Sequence, residues 1–362
     1  MNVLTLVLCF SIAFFVSLAS TPLVKVLACK IGAIDVPDGK RRVHKSPIPR
    51  LGGLAIFFGF MVAVLAFAEI DSQTRGILIG ALLIVAIGIL DDIKQLKASI
   101  KLLIQIIAAV VVVCHGVQIT AISVPSFIVG GGILPLKWLS IPITILWVVG
   151  VTNAVNLIDG LDGLAVGISS IATFSLFFIA ILAGEPTVAV ISAALAGGCL
   201  GFLPYNFNPA KIFMGDTGST FLGFILSVIC IQGLFKGYAI ISFIIPFLIL
   251  GLPIFDTSVA IIRRIHDKRP IMGADRGHLH HKLIDMGFSQ KQTVAILYVI
   301  AMLLGLSAVV LIEQGAQTAF LLISVVLLLL IFGSKLISWQ TEQIKHDMEE
   351  QSENDNGGNS ND

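Results

Sequence analysis

Eleven continuous apolar stretches, near residues 3–27, 52–69, 76–91, 99–117, 141–157, 163–183, 187–204, 217–235, 239–262, 292–312 and 317–337, leave this chain one environment in which to fold. A bilayer core about 30 Å thick is crossed by roughly 20 apolar residues of helix, and several of these runs lie near the lower limit. Inside lipid every backbone N–H and C=O must be satisfied within the protein, which admits only helices and closed barrels. Barrel strands alternate in segments of about ten residues, whereas these runs are unbroken. The expected fold class is therefore an all-α polytopic membrane protein of about eleven transmembrane helices. Composition agrees: 56% of residues are hydrophobic and 12% charged, against about 25% charged in soluble domains, and mean hydropathy is +0.99. Residues 3–27 carry neither a preceding basic segment nor a small-residue cleavage site and are read as a retained first span. The five cysteines, scattered in or beside apolar runs without CxxC spacing, read as buried hydrophobes rather than ligands or disulfides. A net charge of +1 provides no bulk field for nucleic acid.

Charge placement sets the orientation. With the segment after the first run in the cytoplasm, Lys40, Arg41, Arg42, Lys45, Arg50, Lys94, Lys97, Lys211, Arg263, Arg264, Lys268, Arg269, Arg276 and Lys282 all fall inside. Arg75, Lys137 and Lys236 fall outside, three of the 23 basic residues. Positive charge in short loops marks the cytoplasmic side, so the N-terminus is expected outside and the C-terminus inside. The long outer segment 117–136, rich in β-branched residues and broken by Pro125 and Gly130–Gly132, leaves room for a small external β-hairpin. Residues 1–340 form one membrane domain; the polar stretch 341–362 is expected to be a disordered cytoplasmic tail.

In this topology the acidic and amide residues gather on the cytoplasmic face. Asp91-Asp92 closes the third run. Carboxylates beside hydrocarbon are costly and usually functional; an adjacent pair binds a hard cation through one member and substrate or a proton through the other, or else simply faces water at a helix end. Asn153, Asn156, Asp159 and Asp162 recur every third residue, with Gly160 and Gly163 expected to break the helix and free backbone groups for a ligand. An interhelical polar network is the alternative. Asp216, in Gly-Asp-Thr-Gly-Ser, reads either as the cap of a helix starting near Thr217 or as a group that meets a metal or phosphate between close-approaching glycines. Lys211 suits a phosphate, an anionic lipid or an interfacial anchor. The loop from Arg263 to Lys291 holds His278, His280 and His281 with Arg269 and Arg276. Zinc is one reading, but no cysteine lies nearby; a basic pocket for a diphosphate fits the arginines better, and a solvated loop that only sets topology stays open. Asp38 to Lys45 adds a second basic surface.

Carboxylates, amides and cations on one face match phosphoryl transfer, in which a divalent cation and cationic side chains offset charge on the transferring and leaving groups. The sequence has no P-loop, Rossmann fingerprint or HExxH. A transporter of a phosphorylated solute is the rival from another class, but transport sites lie near the midplane between repeats, and neither feature shows.

The ordered motifs resemble a known family. Asp91-Asp92, Asn153-Ala-Val-Asn-Leu-Ile-Asp-Gly-Leu-Asp-Gly-Leu-Ala165, Asn208-Pro-Ala-Lys-Ile-Phe-Met-Gly-Asp-Thr-Gly-Ser219 and Asp275-Arg-Gly-His-Leu-His-His281 are similar to those of the polyprenyl-phosphate N-acetylhexosamine-1-phosphate transferases of bacterial envelope synthesis. The closest branch starts teichoic acid, enterobacterial common antigen or O-antigen chains. Gln95 stands where that acidic motif often has a third Asp. The resemblance implies transfer of a sugar 1-phosphate from a UDP-sugar to undecaprenyl phosphate, with release of UMP, in the bacterial cytoplasmic membrane with the site facing the cytoplasm. It implies Mg²⁺, or Mn²⁺. By motif position Asp216 ligates the metal with Asp92 beside it, and Asp91 engages or deprotonates the lipid phosphate. Asn153, Asn156 and Asp159 position substrate, Asp162 contacts the uracil side, and His278, His280 and His281 bind the diphosphate or sugar; Lys45, Lys211 and Arg276 count among the substrate-binding residues. UDP-N-acetylglucosamine is the favoured donor, with UDP-N-acetylmuramoyl-pentapeptide or another UDP-N-acetylhexosamine as the alternative. The oligomeric state is left open, a homodimer included.

Overall fold

The computed structural model describes residues 2–36, 47–124, 132–234, 244–268, 270 and 277–314, together with 318, 322 and 324. Ten of the eleven apolar runs are helical: α1 (Val3–Ile31), α2 (Gly53–Phe67), α3 (Ser72–Lys94), α4 (Ala98–Cys114), α5 (Ser140–Leu157), α6 (Leu164–Leu182), α7 (Pro186–Asn206), α8 (Gly215–Leu234), the pair α9 (Ile244–Ile249) and α10 (Gly251–His266), and α12 (Gln290–Gln314). A short helix, α11 (Leu279–Asp285), sits in the loop before the last of these. Among the described residues seven helices are long and apolar enough to cross a membrane, while α2 and α4 are shorter. Within the run 239–262 the described helix is interrupted. It breaks at Leu250 because Pro253 belongs in a first turn, where its missing N–H costs no hydrogen bond. The run 317–337 and the tail 341–362 lie outside the described residues, apart from 318, 322 and 324.

The hairpin predicted within 117–136 is present as β3 (Ala121–Val124) paired antiparallel with β4 (Gly132–Pro135). A second pair, β1 (Ile34–Asp35) with β2 (Ile48–Pro49), follows α1 and was not anticipated from the sequence. The cysteine expectation holds for Cys9, Cys199 and Cys230, which are buried; Cys29 and Cys114 are free but lie exposed on α1 and α4.

Helix α8 is the axis of the bundle, packed against α2, α3, α5 and α6. Small residues permit this. Within lipid, helices gain little from hydrophobicity toward one another and associate through close backbone packing instead. A Cβ on Gly53 of α2 would lie 2.0 Å from Gly218 Cα, one on Gly88 of α3 2.5 Å from Thr217 Cα, and one on Gly223 2.7 Å from Thr152 Cα of α5. Farther along, Phe57 and Phe60 meet Phe221 edge-on at centroid distances of 5.5 and 5.4 Å. The consequence for function is positional. The C-terminal ends of α3, α5 and α7 and the N-terminal ends of α4, α6 and α8 share one end of the bundle, and the β3–β4 hairpin lies between α4 and α5 at the other.

Candidate active site

At that shared end α8 begins with Gly215 in a left-handed turn, φ +72°. The first N–H groups of a helix have no partner inside it. Here they are capped from another helix: Asp92 Oδ1 accepts from the Asp216 N–H (2.9 Å), and Asp92 Oδ2 accepts from the Thr217 N–H (3.0 Å) and hydroxyl (2.6 Å). Asp92 is 2% exposed. Asp216 is thus not the cap of its own helix, and its carboxylate is released to face the site. The end of α3 is held in turn by Arg50, whose Nε and Nη2 donate to the Asp92 carbonyl at 3.1 and 3.0 Å. That cation sits where a helix terminus is most negative.

Lys101, one turn into α4, lies between the two remaining carboxylates. Its Nζ is 3.0 Å from Asp91 Oδ2 and 2.7 Å from Asp216 Oδ2. Asp91 also accepts the Leu96 N–H at 2.6 Å. The other Asp216 oxygen accepts from Asn156 Nδ2 at 3.1 Å, and the same amide nitrogen reaches Ser219 Oγ at 2.7 Å. Lys101 is not among the residues that the sequence singles out, and Arg50 enters there only as a cytoplasmic cation.

The polar ladder breaks where its glycines suggested. Asn153 and Asn156 are on α5, which stops at Leu157; Asp159 and Asp162 lie in the loop before α6, and Gly163 starts α6 with φ +78°. Asn153 pairs with Gln105 of α4 at 2.6 Å, a helix-to-helix contact. Asp162 ties the loop to its neighbour, accepting from Asn208 Nδ2 (2.9 Å) and the Ala210 N–H (3.0 Å). Asp159 is half-buried. Burial first, then the nearby Asp216, Asp92 and Asp162 charges, push its carboxyl up to about 8.

Two cavities meet at this point. One, of about 530 Å³, is polar and is lined by Arg50, Asp92, Asn156, Asp159, Asp216 and His281 among others. The second, of about 810 Å³, is walled by apolar side chains such as Leu102, Ile143, Leu146, Trp147, Phe247 and Ile261, with Lys101 and Asn156 also lining it. Asn156 belongs to both. The histidines divide. His281 lines the polar cavity. His280 is 2% exposed and packs on Gly160 with neither ring nitrogen hydrogen-bonded to a described residue; burial, then His281 and His278, lower its pKa to about 4. His278 lies behind them, paired with Asp256 at 2.9 Å. Lys211 is away from the polar cavity, lining a separate cleft with Lys25 and Cys29. Lys45 and Arg276 lie outside the described residues.

Comparison with known proteins decides the family. Residues 74–234, which hold the aspartate pair, the Asn–Asp ladder and Asp216, match the family described as "Glycosyl transferase family 4". The chain is 44% identical over 333 residues, 91% of each chain, to the probable undecaprenyl-phosphate N-acetylglucosaminyl 1-phosphate transferase of Bacillus subtilis. This chain belongs to glycosyl transferase family 4. It is also 37% identical over 315 residues to the decaprenyl-phosphate N-acetylglucosaminephosphotransferase of Mycolicibacterium smegmatis, covering 79% of this chain and 77% of that one. Identity falls to 32% over 330 residues with the phospho-N-acetylmuramoyl-pentapeptide-transferase of Desulforudis audaxviator, covering 81% and 94%.

Proposed function

We propose that this family member transfers N-acetylglucosamine 1-phosphate from UDP-N-acetylglucosamine to undecaprenyl phosphate at the cytoplasmic face of the bacterial membrane, with the N-terminus outside. The observation that carries this reading is the meeting of a polar cavity with an apolar groove at Asn156, next to the Lys101–Asp91–Asp216 cluster. A water-soluble diphosphate donor fits the first and a prenyl chain the second. The higher identity to the two N-acetylglucosaminyl transferases than to the pentapeptide transferase supports the donor.

In the proposed reaction an oxygen of the lipid phosphate attacks the β-phosphorus of the donor. A new P–O–P bond forms, the bond between that phosphorus and the bridging oxygen breaks, and UMP departs with the electron pair. A phosphate monoester is already anionic, so it needs positioning and charge neutralisation more than a base. Lys101 supplies a cation at the junction of the cavities, and Asp91 holds that ammonium in place. Asn156, bonded to Asp216 and lining both spaces, sets the carboxylate against the donor. Direct displacement is favoured over a phosphorylated aspartate because the lipid phosphate brings its own anionic oxygen to the donor and needs no prior covalent step on the protein.

The residues fit Mg²⁺ in one particular way. Among the described residues no three His, Cys, Asp or Glu groups gather to hold a metal, but Asp91 Oδ2 and Asp216 Oδ2 converge on one ammonium within 3.0 Å. Magnesium commonly takes one or two carboxylates and completes its shell with water and substrate phosphate. Asp216, with Asp91 next to it, would hold the ion, and Asp92 would act by keeping the Asp216 turn in place. Bound there, Mg²⁺ would neutralise charge on the diphosphate.

The test is UMP release by purified protein given undecaprenyl phosphate, Mg²⁺ and each candidate UDP-sugar in turn. Wild type should turn over UDP-N-acetylglucosamine, and Asp216→Asn should lose activity while still inserting in membranes. Full turnover by that variant removes the proposed metal role; labelled phosphosugar trapped on the protein without lipid overturns direct displacement.

A further inference from the structure

One acidic side chain lies inside an apolar run with no part in the chemistry above. Asp256 is on α10, 8% exposed, and its two oxygens take two donors from the histidine loop. Oδ2 is 2.9 Å from His278 Nδ1, and Oδ1 accepts the Leu279 N–H at 2.8 Å. His278 is itself 6% exposed and is the N-cap of α11. Two turns farther along the same helix, Arg263 Nη1 donates to the Gly277 carbonyl at 3.0 Å. Gly277 is pressed so close that a Cβ would lie 2.1 Å from that guanidinium. Asp256 and Arg263 therefore grip three consecutive residues, Gly277-His278-Leu279, from one rigid element.

The grip reaches the cavity through stacked rings. His278 and His280 are parallel within 5° at a centroid distance of 5.7 Å, and His280 meets His281 at 4.2 Å. His281 is the ring that lines the polar cavity. An ionised carboxylate only accepts hydrogen bonds, so Asp256 keeps the hydrogen of His278 on Nδ1 and fixes the ring plane.

We infer that Asp256 is a positioning residue: acting through His278 and the first turn of α11, it sets where His281 faces the donor cavity. This rests on the functional reading above only for what the cavity holds. Asn at 256 offers one acceptor and a competing N–H₂, so it cannot satisfy both donors.

The test uses the full-length protein in detergent. Asp256→Asn should raise KM for UDP-N-acetylglucosamine about tenfold or more, with KM for undecaprenyl phosphate unchanged. Because the effect runs through His278, the same substitution in a His278→Ala background should add less than about threefold. Independently of turnover, amides in 277–285 should exchange with deuterium about tenfold faster in Asp256→Asn. If that variant does not fold, His278→Ala, which removes the donor ring and leaves Asp256 in place, should show the same faster exchange. Unchanged exchange in the folded variant, or a full Asp256→Asn penalty persisting without His278, overturns the inference. A wild-type protein that releases no UMP sinks the functional reading, and the exchange measurement then decides this one alone.

Discussion

The placement of Asp216 depends on an uncharged backbone contact in the first turn of α8, and Gly53→Ala tests it. An added Cβ would lie 2.0 Å from Gly218 Cα and 2.1 Å from Gly218 N, where ordinary contact begins at 3.4 Å. The shortfall of about 1.4 Å is against backbone, which cannot rotate aside, so α2 and the first turn of α8 must separate. Overpacking of this kind costs about 1–3 kcal/mol, offset by roughly 1 kcal/mol because Ala is the better helix former. A net loss of ~0–2 kcal/mol lowers the unfolding temperature by at most a few degrees. The effect on turnover is larger. The Asp92 bonds to the Asp216 and Thr217 amides are 2.9 and 3.0 Å long and tolerate little of that shift, and a displacement near 1 Å at a reacting group costs about a hundredfold. Thermal unfolding in detergent and UMP release should therefore diverge: a nearly intact fold with turnover down roughly a hundredfold. Activity within twofold of wild type would show that the α2–α8 contact does not position Asp216.

Three further outcomes follow from the geometry. Lys101→Met leaves two carboxylates without their shared counterion; because the ammonium is about a quarter exposed, the expected stability loss is about 2–4 kcal/mol, and UMP release should fall at least about a hundredfold. Asp159 carries a sign for pH. Its unfolded carboxyl loses the proton near 3.8 and the folded one only near 8, so the native state binds more protons between these values and stability falls as pH rises through that window; Asp159→Asn should flatten the slope of unfolding temperature against pH, and an identical slope would contradict the assignment. Gly160→Ala would place a Cβ 2.3 Å from His280 Nε2, and it should raise KM for the donor about tenfold without changing KM for the lipid, as read by initial rates with each substrate varied.

Much of this was legible in the sequence because its signals are local. Apolar runs mark helices directly, the glycines of 160–163 mark the end of α5, and β-branched residues flanking a glycine triplet mark the β3–β4 hairpin. What stayed hidden depends on partners distant along the chain. Lys101 reads as one more interfacial cation until α8 brings Asp216, 115 residues away, to its ammonium. Arg50 reads as a topology signal until it caps α3. Asp92 and Asp91 are indistinguishable as letters, yet one binds a helix terminus and the other a lysine. Asp256 did leave a signal: a lone carboxylate within an apolar run is expensive unless paired, and the histidines 22 residues on were the natural partner.

The division between Asp91 and Asp92 follows from helix geometry. Adjacent residues on a helix point about 100° apart, so a single helix end can send one carboxylate into the neighbouring helix terminus and the other to Lys101, which lines the apolar groove. The first satisfies backbone donors that would otherwise be buried unpaired, and Arg50 balances the carbonyl end of the same helix. The structural charges are thereby neutralised by the fold itself, leaving Lys101, Asp91 and Asp216 as the charges whose mutual pairing an incoming phosphate can exchange for its own. An antiparallel helix pair that brings the end of α3 to the start of α8 thus supplies a rigid frame and an adjustable ion cluster from two consecutive aspartates. Separating them by one inserted residue would rotate one carboxylate out of reach, which is why adjacency, rather than the number of acidic groups, is the property this site requires.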